Sequence, residues 1–464
     1  PKGLEARTNL ARILIKRDKV QDAQTILNEV LKENASDNDA LILLGSIALA
    51  KKDAVNAVAD FRAVLKDQPD SAKVMQLLAA AHYLNGEIDL ARDQLQRAVE
   101  ISPRDHQLRL QFAQILATKK DGEDQAIEQL QLILKDSPND RDALGSLFNI
   151  QTAKGDWPAA LVTAKVIKKD FPDDAGSAYL LGTAYQGNKQ FDAGIAEFQQ
   201  AVEKNPLATE PLTSLVKALL AQGRSGDALK WLDKAVKQVP KHAVAYNLRG
   251  EVLLSQKKFD ESMQSFRKAI ASEPKWDIPY SDLAAAYLAK NEVDDAVRVY
   301  REGIKATGYA PRLVLNLASF YEGRGDHDAA IDQYNRLLEK NPSSAEAANN
   351  LAMMLVTYKN DSSNLTRAKD LVRRLENSAN PAYLDTLGWV RYKSGEFDGA
   401  VAALEQALKA APDSKLLRYH LGMAQYAKGE AKSARKNLQQ ALQGDPKFYG
   451  LAEAKATLDK LAKM

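Results

Sequence analysis

The stretch from Ala175 to Pro206, AGSAYLLGTAYQGNKQFDAGIAEFQQAVEKNP, decides the fold. Leu181, Gly182 and Tyr185 lie on one face of a helix, because residues three and four positions apart are neighbours. After a polar turn, Phe198 gives a second helix an apolar face toward the first. The stretch therefore predicts a pair of packed helices, in which the small Gly182 allows the second helix to come close.

The same pattern returns along the whole chain at a fixed period. Up to Pro274, prolines that end a polar turn are separated by gaps of 34 or 35 residues, and Gly308 takes the place of the next one. The prolines of the series are Pro69, Pro103, Pro138, Pro172, Pro206, Pro240, Pro274, Pro342, Pro412 and Pro446. Gly-acid pairs mark the turn inside a unit, as at Gly155-Asp156, Gly325-Asp326, Gly395-Glu396 and Gly429-Glu430. Glycine ends one helix, and an acidic residue favours the start of the next.

This period and residue pattern resemble the tetratricopeptide repeat (TPR) family. The resemblance implies an all-α solenoid, a right-handed superhelix with a concave groove. We predict an array of about 13 helix-turn-helix units over residues 1–447. The units start near residues 4, 38, 72, 106, 141, 175, 209, 243, 277, 311, 345, 381 and 415.

Two units and both ends depart from the regular pattern. The fourth unit has one extra residue near Lys119-Lys120-Asp121, and the eleventh carries a polar loop from Thr357 to Thr366. Residues 448–464 read as a capping helix, with Leu451, Ala454, Leu458 and Leu461 on one face. The first unit has no such cap, so we expect repeats or another domain to precede Pro1.

Composition gives no indication of an enzyme or of a nucleic-acid-binding protein. The 64 basic and 61 acidic residues nearly balance, so no general attraction to nucleic acid is expected. The chain has no cysteine, and its five histidines lie in five different units, which makes a metal site improbable. No phosphate-binding loop or nucleophile motif occurs. We therefore expect no catalytic residue, cofactor or metal, and membrane attachment only through a lipid anchor upstream.

In TPR proteins, ligands usually lie along the concave face, which is lined by positions 5, 9 and 12 of each first helix. These positions share one helix face. Chaperone-binding members carry a Lys/Asn/Arg clamp for a carboxylate there. Position 5 is never Lys or Arg in this chain, so an Hsp70 or Hsp90 co-chaperone is not expected. The expected partners are proteins or peptides in the groove, with polysaccharide as another possibility.

The last three units carry an aromatic and methionine stripe at these positions. It suits an apolar peptide anchor or a stacked sugar ring. The alternative is that neighbouring first helices bury these side chains against each other. As ligand candidates we select Asn349, Asn350, Met353, Asp385, Trp389, Tyr392, Tyr419, His420, Met423 and Tyr426.

A narrower resemblance concerns the same units. The segments 384–390 (LDTLGWV), 394–396 (SGE) and 419–423 (YHLGM) are similar to C-terminal repeats of bacterial envelope TPR lipoproteins of exosortase/PEP-CTERM exopolysaccharide systems. This resemblance implies a periplasmic or outer-membrane-associated scaffold for exopolysaccharide secretion or surface-protein sorting. The alternatives are a cytoplasmic TPR adaptor, or the targeting arm of an enzyme whose catalytic domain lies upstream.

Overall fold

The computed structural model describes residues 3–119, 121–359, 361–444 and 447–463. These residues form α-helices joined by short turns, with one short 3-10 helix and no β-strand among them. Within each of the two compact units described below, consecutive helices pack against each other in the order of the chain. The predicted all-α solenoid of helix-turn-helix units is confirmed. The chain divides into two compact units, one ending at Arg224 and the other beginning at Ser225.

Unit 1 contains the first thirteen helices. The first helices of successive pairs contact each other, as α1 with α3, α3 with α5, and α7 with α9. The bounds are α1 Leu4–Lys16, α2 Val20–Glu33, α3 Asn38–Ala50, α4 Ala54–Asp67, α5 Ala72–Leu84, α6 Ile88–Ile101, α7 His106–Leu116, α8 Glu123–Asp136, α9 Arg141–Ala153, α10 Trp157–Asp170, α11 Ala175–Gly187, α12 Phe191–Lys204 and α13 Thr209–Ala221.

Unit 2 contains the remaining helices, and its first helices also contact one another, as α15 with α17, α17 with α19, α21 with α23 and α23 with α25. The bounds are α14 Ser225–Gln238, α15 Ala243–Ser255, α16 Phe259–Ser272, α17 Ile278–Ala289, α18 Val293–Ala306, α19 Pro311–Gly323, α20 His327–Lys340, α21 Ala345–Tyr358, α22 Ser362–Val372, the 3-10 helix Arg373–Leu375, α23 Pro381–Lys393, α24 Phe397–Ala410, α25 Lys415–Lys428, α26 Ala431–Ala441 and α27 Leu451–Ala462.

A glycine on the first helix of a repeat faces an aromatic ring on the second helix, and this contact sets the distance between the two helices. A β-carbon built on Gly182 would lie 2.6 Å from the Phe198 ring, and one on Gly250 would lie 2.4 Å from the Phe266 ring. Both rings are buried. Since real β-carbons do not approach a ring this closely, glycine lets the second helix seat its phenylalanine directly on the backbone of the first.

In most repeats, the turn between the two helices contains one residue in the left-handed backbone conformation, at the same position of the turn. Glycine takes this conformation at little cost, whereas other residues pay about 1 kcal/mol or more. The residues, with φ from 59° to 93°, are Asp18, Lys52, Gly86, Asp121, Gly155, Lys189, Gly223, Lys257, Asn291, Gly325, Gly395 and Gly429.

The four Gly-acid pairs named above lie at this turn. Asp156 and Asp326 each cap the following helix, since their carboxylates accept hydrogen bonds from the backbone N–H three residues ahead, at 3.1 and 3.2 Å. Glu396 and Glu430 occupy the same N-cap position without a side-chain cap bond. The longer glutamate side chain is a poorer cap than aspartate.

The irregular eleventh unit differs from the sequence expectation. The segment from Thr357 to Thr366 is mostly helical, because α21 continues to Tyr358 and α22 begins at Ser362. Asp361 caps α22 by accepting a hydrogen bond from the Asn364 N–H at 2.9 Å. The polar composition that suggested a loop therefore starts a helix. Lys120, Asn360 and Pro446, which figured in the sequence predictions, lie outside the described residues.

At the C-terminus, α27 packs against α26 and α25 and buries Ala454, Thr457 and Leu461. At the other end, Leu10 and Ile13 of α1 are about half exposed, at 47% and 49%.

The carboxyl group of Asp60 on α4 predicts a pH effect. Burial, reinforced by the Asp53 carboxylate, raises the pKa of Asp60 to about 6. The folded chain thus holds this proton up to about pH 6, and the unfolded chain only to about pH 4. Protonation therefore stabilises the fold fully below about pH 4, and that stabilisation is lost as pH rises through 6.

We expect Asp60→Asn to raise the free energy of unfolding by about 1 kcal/mol at neutral pH, because water partly screens this half-buried group. The gain over the wild type should shrink to nothing near pH 4. Urea unfolding of both chains across this pH range measures it. A gain that is the same at every pH would contradict the proposed cause.

Candidate binding surfaces on the first helices

The aromatic residues of the predicted stripe come together in one buried cluster in unit 2. Trp389, Tyr419 and His420 have no exposed surface. The Trp389 ring stacks on His420 with centroids 4.1 Å apart, and on Tyr392 at 4.8 Å. Residues from two different repeats, on α23 and α25, are thus in contact.

Hydrogen bonds hold the polar atoms of His420 and Tyr419 in this cluster, whereas the buried Trp389 Nε1 has no hydrogen-bond partner among the described residues. His420 Nδ1 lies 2.6 Å from Asp385 Oδ1, and His420 Nε2 lies 2.5 Å from the Tyr449 hydroxyl. With the ring hydrogen on Nδ1, His420 donates to Asp385 and accepts from Tyr449. The Tyr419 hydroxyl donates to Glu453 Oε2 at 2.7 Å.

The two tyrosine hydroxyls of the stripe that face Glu453 stay protonated. Burial, with the nearby Glu453 carboxylate, raises the pKa of Tyr392 to about 12. Burial and the hydrogen bond to Glu453 likewise raise the pKa of Tyr419 well above its usual range. Both groups therefore act as neutral hydroxyls at physiological pH.

The other predicted residues also pack into unit 2. Asn349 is buried, and its Nδ2 donates to Asn350 Oδ1 at 3.0 Å. Asn350 is half-buried and donates to the Tyr334 hydroxyl at 3.3 Å. The remaining three, one buried and two partly buried against the same core, are Met423, Met353 and Tyr426.

The chain itself closes this stripe. We call residues 447–450 the closing segment. Its Phe448 stacks on Tyr419 with centroids 5.0 Å apart, and Tyr449 reaches His420 while 45% of it remains exposed. Packing therefore accounts for the buried members of the stripe. Ligand binding at the stripe stays a prediction, and a ligand of the buried Tyr419 and His420 would require the closing segment to move.

Unit 1 presents the equivalent positions differently. Positions 5, 9 and 12 of α3, α5, α7, α9 and α11 form what we call the neutral strip. None of its residues is buried and none is charged. They are Ile42, Ser46, Leu49, Gln76, Ala80, Tyr83, Leu110, Gln114, Ala117, Gly145, Asn149, Thr152, Tyr179, Thr183 and Gln186. In a chain with 27% charged residues, a surface of this size without a charge is a marked departure from the average.

An open groove of about 730 Å³ lies in this surface between α5 and α7, and we call it the glutamine groove. Tyr83, 56% exposed, stands at its side. Its other lining residues are Lys73, Gln76, Leu77, Ala79, Ala80, Leu95, Gln107, Gln111, Gln114, Ile115 and Thr118.

A hydrogen bond that recurs between neighbouring first helices was not predicted from the sequence. In unit 1, Gln76 Nε2 donates to Gln111 Oε1 at 2.9 Å. In unit 2 the same register appears as Asn247 to Asp282 at 2.9 Å, Asn316 to Ser281 at 2.6 Å, and Asp385 to His420. The two residues of each pair are 35 positions apart in the sequence. Polar residues that repeat at this separation could therefore have predicted the bonds.

Unit 2 has further grooves of a different character. Two of about 630 and 600 Å³ lie along its second helices and share Lys305. Both are lined by charges of both signs, such as Arg298 with Glu302 and Arg336 with Asp332. In each groove the basic side chains outnumber the acidic ones, since each lining contains a single carboxylate, Glu302 or Asp332.

The described residues contain neither a metal-ligand cluster nor a membrane-spanning helix. Among them, no three His, Asp or Glu side chains are grouped so that they could hold a metal ion. No helix in the described part of the chain has the length and apolar character needed to cross a bilayer.

Solved structures with a similar fold have low sequence identity to this chain. Yeast Tom70 is 16% identical over 100% of this chain and 96% of that chain, with a TM-score of 0.40. MamA 41-end from Desulfovibrio magneticus RS-1 is 23% identical over 36% of this chain and 94% of that chain, with a TM-score of 0.33.

The structure of Naa15/Naa10 bound to HypK-THB is 17% identical over 92% of this chain, with a TM-score of 0.36. This chain spans 65% of the length of that one. A search of curated proteins finds no match. At these identities and TM-scores the similarities say nothing about function.

Family models give the clear result. A model described as tetratricopeptide repeat matches residues 8–72, 179–243, 213–275, 281–345, 315–357 and 386–447. A second model with the same description matches residues 48–121. The matches cover well over half of the sequence and fall in both compact units. The chain belongs to the tetratricopeptide repeat family.

Proposed function

We propose that this protein-interaction scaffold binds its partner through the neutral strip of unit 1, without catalysing a reaction. The observation that supports this proposal is that the fifteen residues of the strip are all accessible and all uncharged. In the last two repeats, by contrast, Trp389, Tyr419 and Met423 are buried at equivalent positions, and the closing segment packs against Trp389 and Tyr419. A partner can therefore reach the strip without moving part of the chain.

The finer proposal concerns where the scaffold works. We place it in the bacterial periplasm or at the outer membrane, gathering components of an exopolysaccharide secretion or surface-protein sorting apparatus. The support is the resemblance of segments 384–390 and 419–423 to envelope TPR lipoproteins. Within the fold these segments form the core of α23 and α25.

Affinity capture tests both the proposed binding surface and the proposed location. The intact chain is compared with the Tyr83→Ala/Gln114→Ala variant on envelope and cytosolic extracts of the source organism. Removing one exposed ring and one amide from the strip should lower capture of the specific partner by about tenfold or more. The matched control is Gln131→Ala/Leu132→Ala, which removes an exposed amide and an exposed apolar side chain from α8.

Capture of secretion or sorting proteins from the envelope extract, reduced only by the strip variant, would support the proposal. Equal capture by all three folded chains would remove the strip as the binding face. A partner set found only in the cytosolic extract would contradict the periplasmic location and favour an adaptor instead.

A further inference from the structure

The glutamine groove has an apolar floor and a row of amides along one side. Leu95 and Ile115 are buried beneath it, and Leu77 and Ala80 reach its surface. Along α7, Gln107, Gln111 and Gln114 occupy positions i, i+4 and i+7, which share one helix face. The groove thus combines apolar contact area with evenly spaced hydrogen-bonding groups.

These amides have hydrogen-bonding capacity left over. Gln76 donates to Gln111 at 2.9 Å and accepts from Lys73 Nζ at 2.8 Å. The Gln111 amide hydrogens remain available. Among the described residues, the Gln107 and Gln114 side chains have no hydrogen-bond partner. A primary amide offers donors and an acceptor together, as a peptide group does.

The spacing of the row fits an extended polypeptide. Residues at i, i+4 and i+7 of a helix are separated along the axis by about 6 Å and 4.5 Å, in total about 10 Å. An extended chain covers that length in about three residues, and main-chain groups on one of its edges recur every 6.6 Å or so. Two or three peptide groups of a ligand can therefore meet the row.

The electrostatics of the groove disfavour charged side chains in the ligand. Its lining contains no carboxylate, so a cationic side chain entering the groove would lose hydration without gaining an opposite charge. An anionic side chain would meet one cation, Lys73, which is exposed, so that water screens its attraction strongly. A neutral side chain would gain the apolar floor and the exposed ring of Tyr83.

We infer that the glutamine groove binds an extended, uncharged segment of a partner polypeptide and reads its main chain through Gln107, Gln111 and Gln114. The inference rests on the proposed function and specifies the partner for that surface. A glycan would also use amides. However, the lining has a single aromatic ring and no carboxylate for a series of sugar hydroxyls, so the groove favours a polypeptide.

The test uses a display library of random peptides of about 12 residues, long enough to pass through the groove when extended. Peptides selected on the intact chain should be depleted of Asp, Glu, Lys and Arg. Their dissociation constants should rise about tenfold or more with Gln107→Ala/Gln111→Ala/Gln114→Ala, since each lost hydrogen bond weakens binding severalfold. Gln21→Ala/Gln131→Ala, with exposed amides on second helices, is the control and should bind as the wild type does.

A second measurement leaves the protein unchanged. Methylating single backbone nitrogens of a selected peptide should weaken binding at alternate positions, because a strand presents every second peptide group to one side. Uniform tolerance of methylation would overturn main-chain reading even if the triple variant failed to fold.

Other outcomes would also overturn the inference. Selected peptides that are rich in charge and lost in the triple variant would contradict the neutral ligand. Binding of a soluble cello-oligosaccharide, lost in the triple variant while no peptide binds, would indicate a glycan site. Peptides that bind the triple variant normally would remove the groove. The scaffold function would survive that last result if the natural partner were still lost in Tyr83→Ala/Gln114→Ala.

Discussion

Trp389→Ala is expected to lower the free energy of unfolding of the C-terminal repeats by about 3–5 kcal/mol. The indole has no exposed surface and is stacked between His420 and Tyr392, at 4.1 and 4.8 Å. Its removal leaves a cavity lined by rings that hydrogen bonds keep in place, such as His420 between Asp385 and Tyr449. Such a lining cannot collapse into the space, which places the cost near the upper end for a core substitution.

The effect should be local, because each repeat of a solenoid contacts only its neighbours. Hydrogen exchange should show faster exchange in α23, α25 and α27, with unit 1 unchanged. Trp231→Ala is the matched control in the same compact unit, since Trp231 is only partly buried and lies under Lys234 at 4.5 Å. It should cost clearly less than Trp389→Ala. Equal losses for the two variants, or a Trp389 variant as stable as the wild type with weaker ligand binding, would contradict the packing role.

Gly450→Ala should destabilise the closing segment by about 1–3 kcal/mol or more. A β-carbon at this position would lie 2.0 Å from Tyr419 Cζ and 2.1 Å from the Tyr419 hydroxyl. That ring cannot yield easily, because it is fully buried, stacked on Phe448 and hydrogen-bonded to Glu453. We expect the closing segment and α27 to detach, which limited proteolysis would show as cleavage after α26.

Two comparisons isolate the cause of this loss. Gly226→Ala, in α14 of the same compact unit, meets no atom within 4 Å and should be neutral or stabilising by up to about 1 kcal/mol. In a Tyr419→Ala background, Gly450→Ala should cost much less than alone, because the clashing ring is gone. Additive losses in the double variant would contradict a steric origin.

The period of the sequence was enough to predict the helical units, since glycine, proline and the small residues facing rings recur in register. It could not predict which first-helix positions are exposed. Ala80, Gln114 and Trp389 all occupy position 9, yet the first two are exposed and the third is buried. The difference comes from neighbours outside the repeat that contains Trp389: His420 of the next first helix stacks on the indole, and Tyr449 of the closing segment lies edge-on to it. A repeat pattern carries no information about such a cover.

The glutamine row illustrates a second limit. Its i, i+4, i+7 spacing was present in the sequence, but glutamine on a helix usually means a solvated surface. Only the structure shows that Gln107, Gln111 and Gln114 border a groove with an apolar floor. The hydrogen bond from Gln76 to Gln111 also joins two repeats, a relation that the pattern of one repeat cannot express.

The absence of charge along the neutral strip has a kinetic consequence. A partner approaching it gains no long-range electrostatic attraction, so association proceeds near the unsteered rate of about 10⁵–10⁶ M⁻¹s⁻¹ and varies little with ionic strength. Tight binding to such a surface then depends on slow dissociation, or on holding the partner nearby so that its effective concentration is high. A neutral binding face is thus best suited to components that already share a confined space.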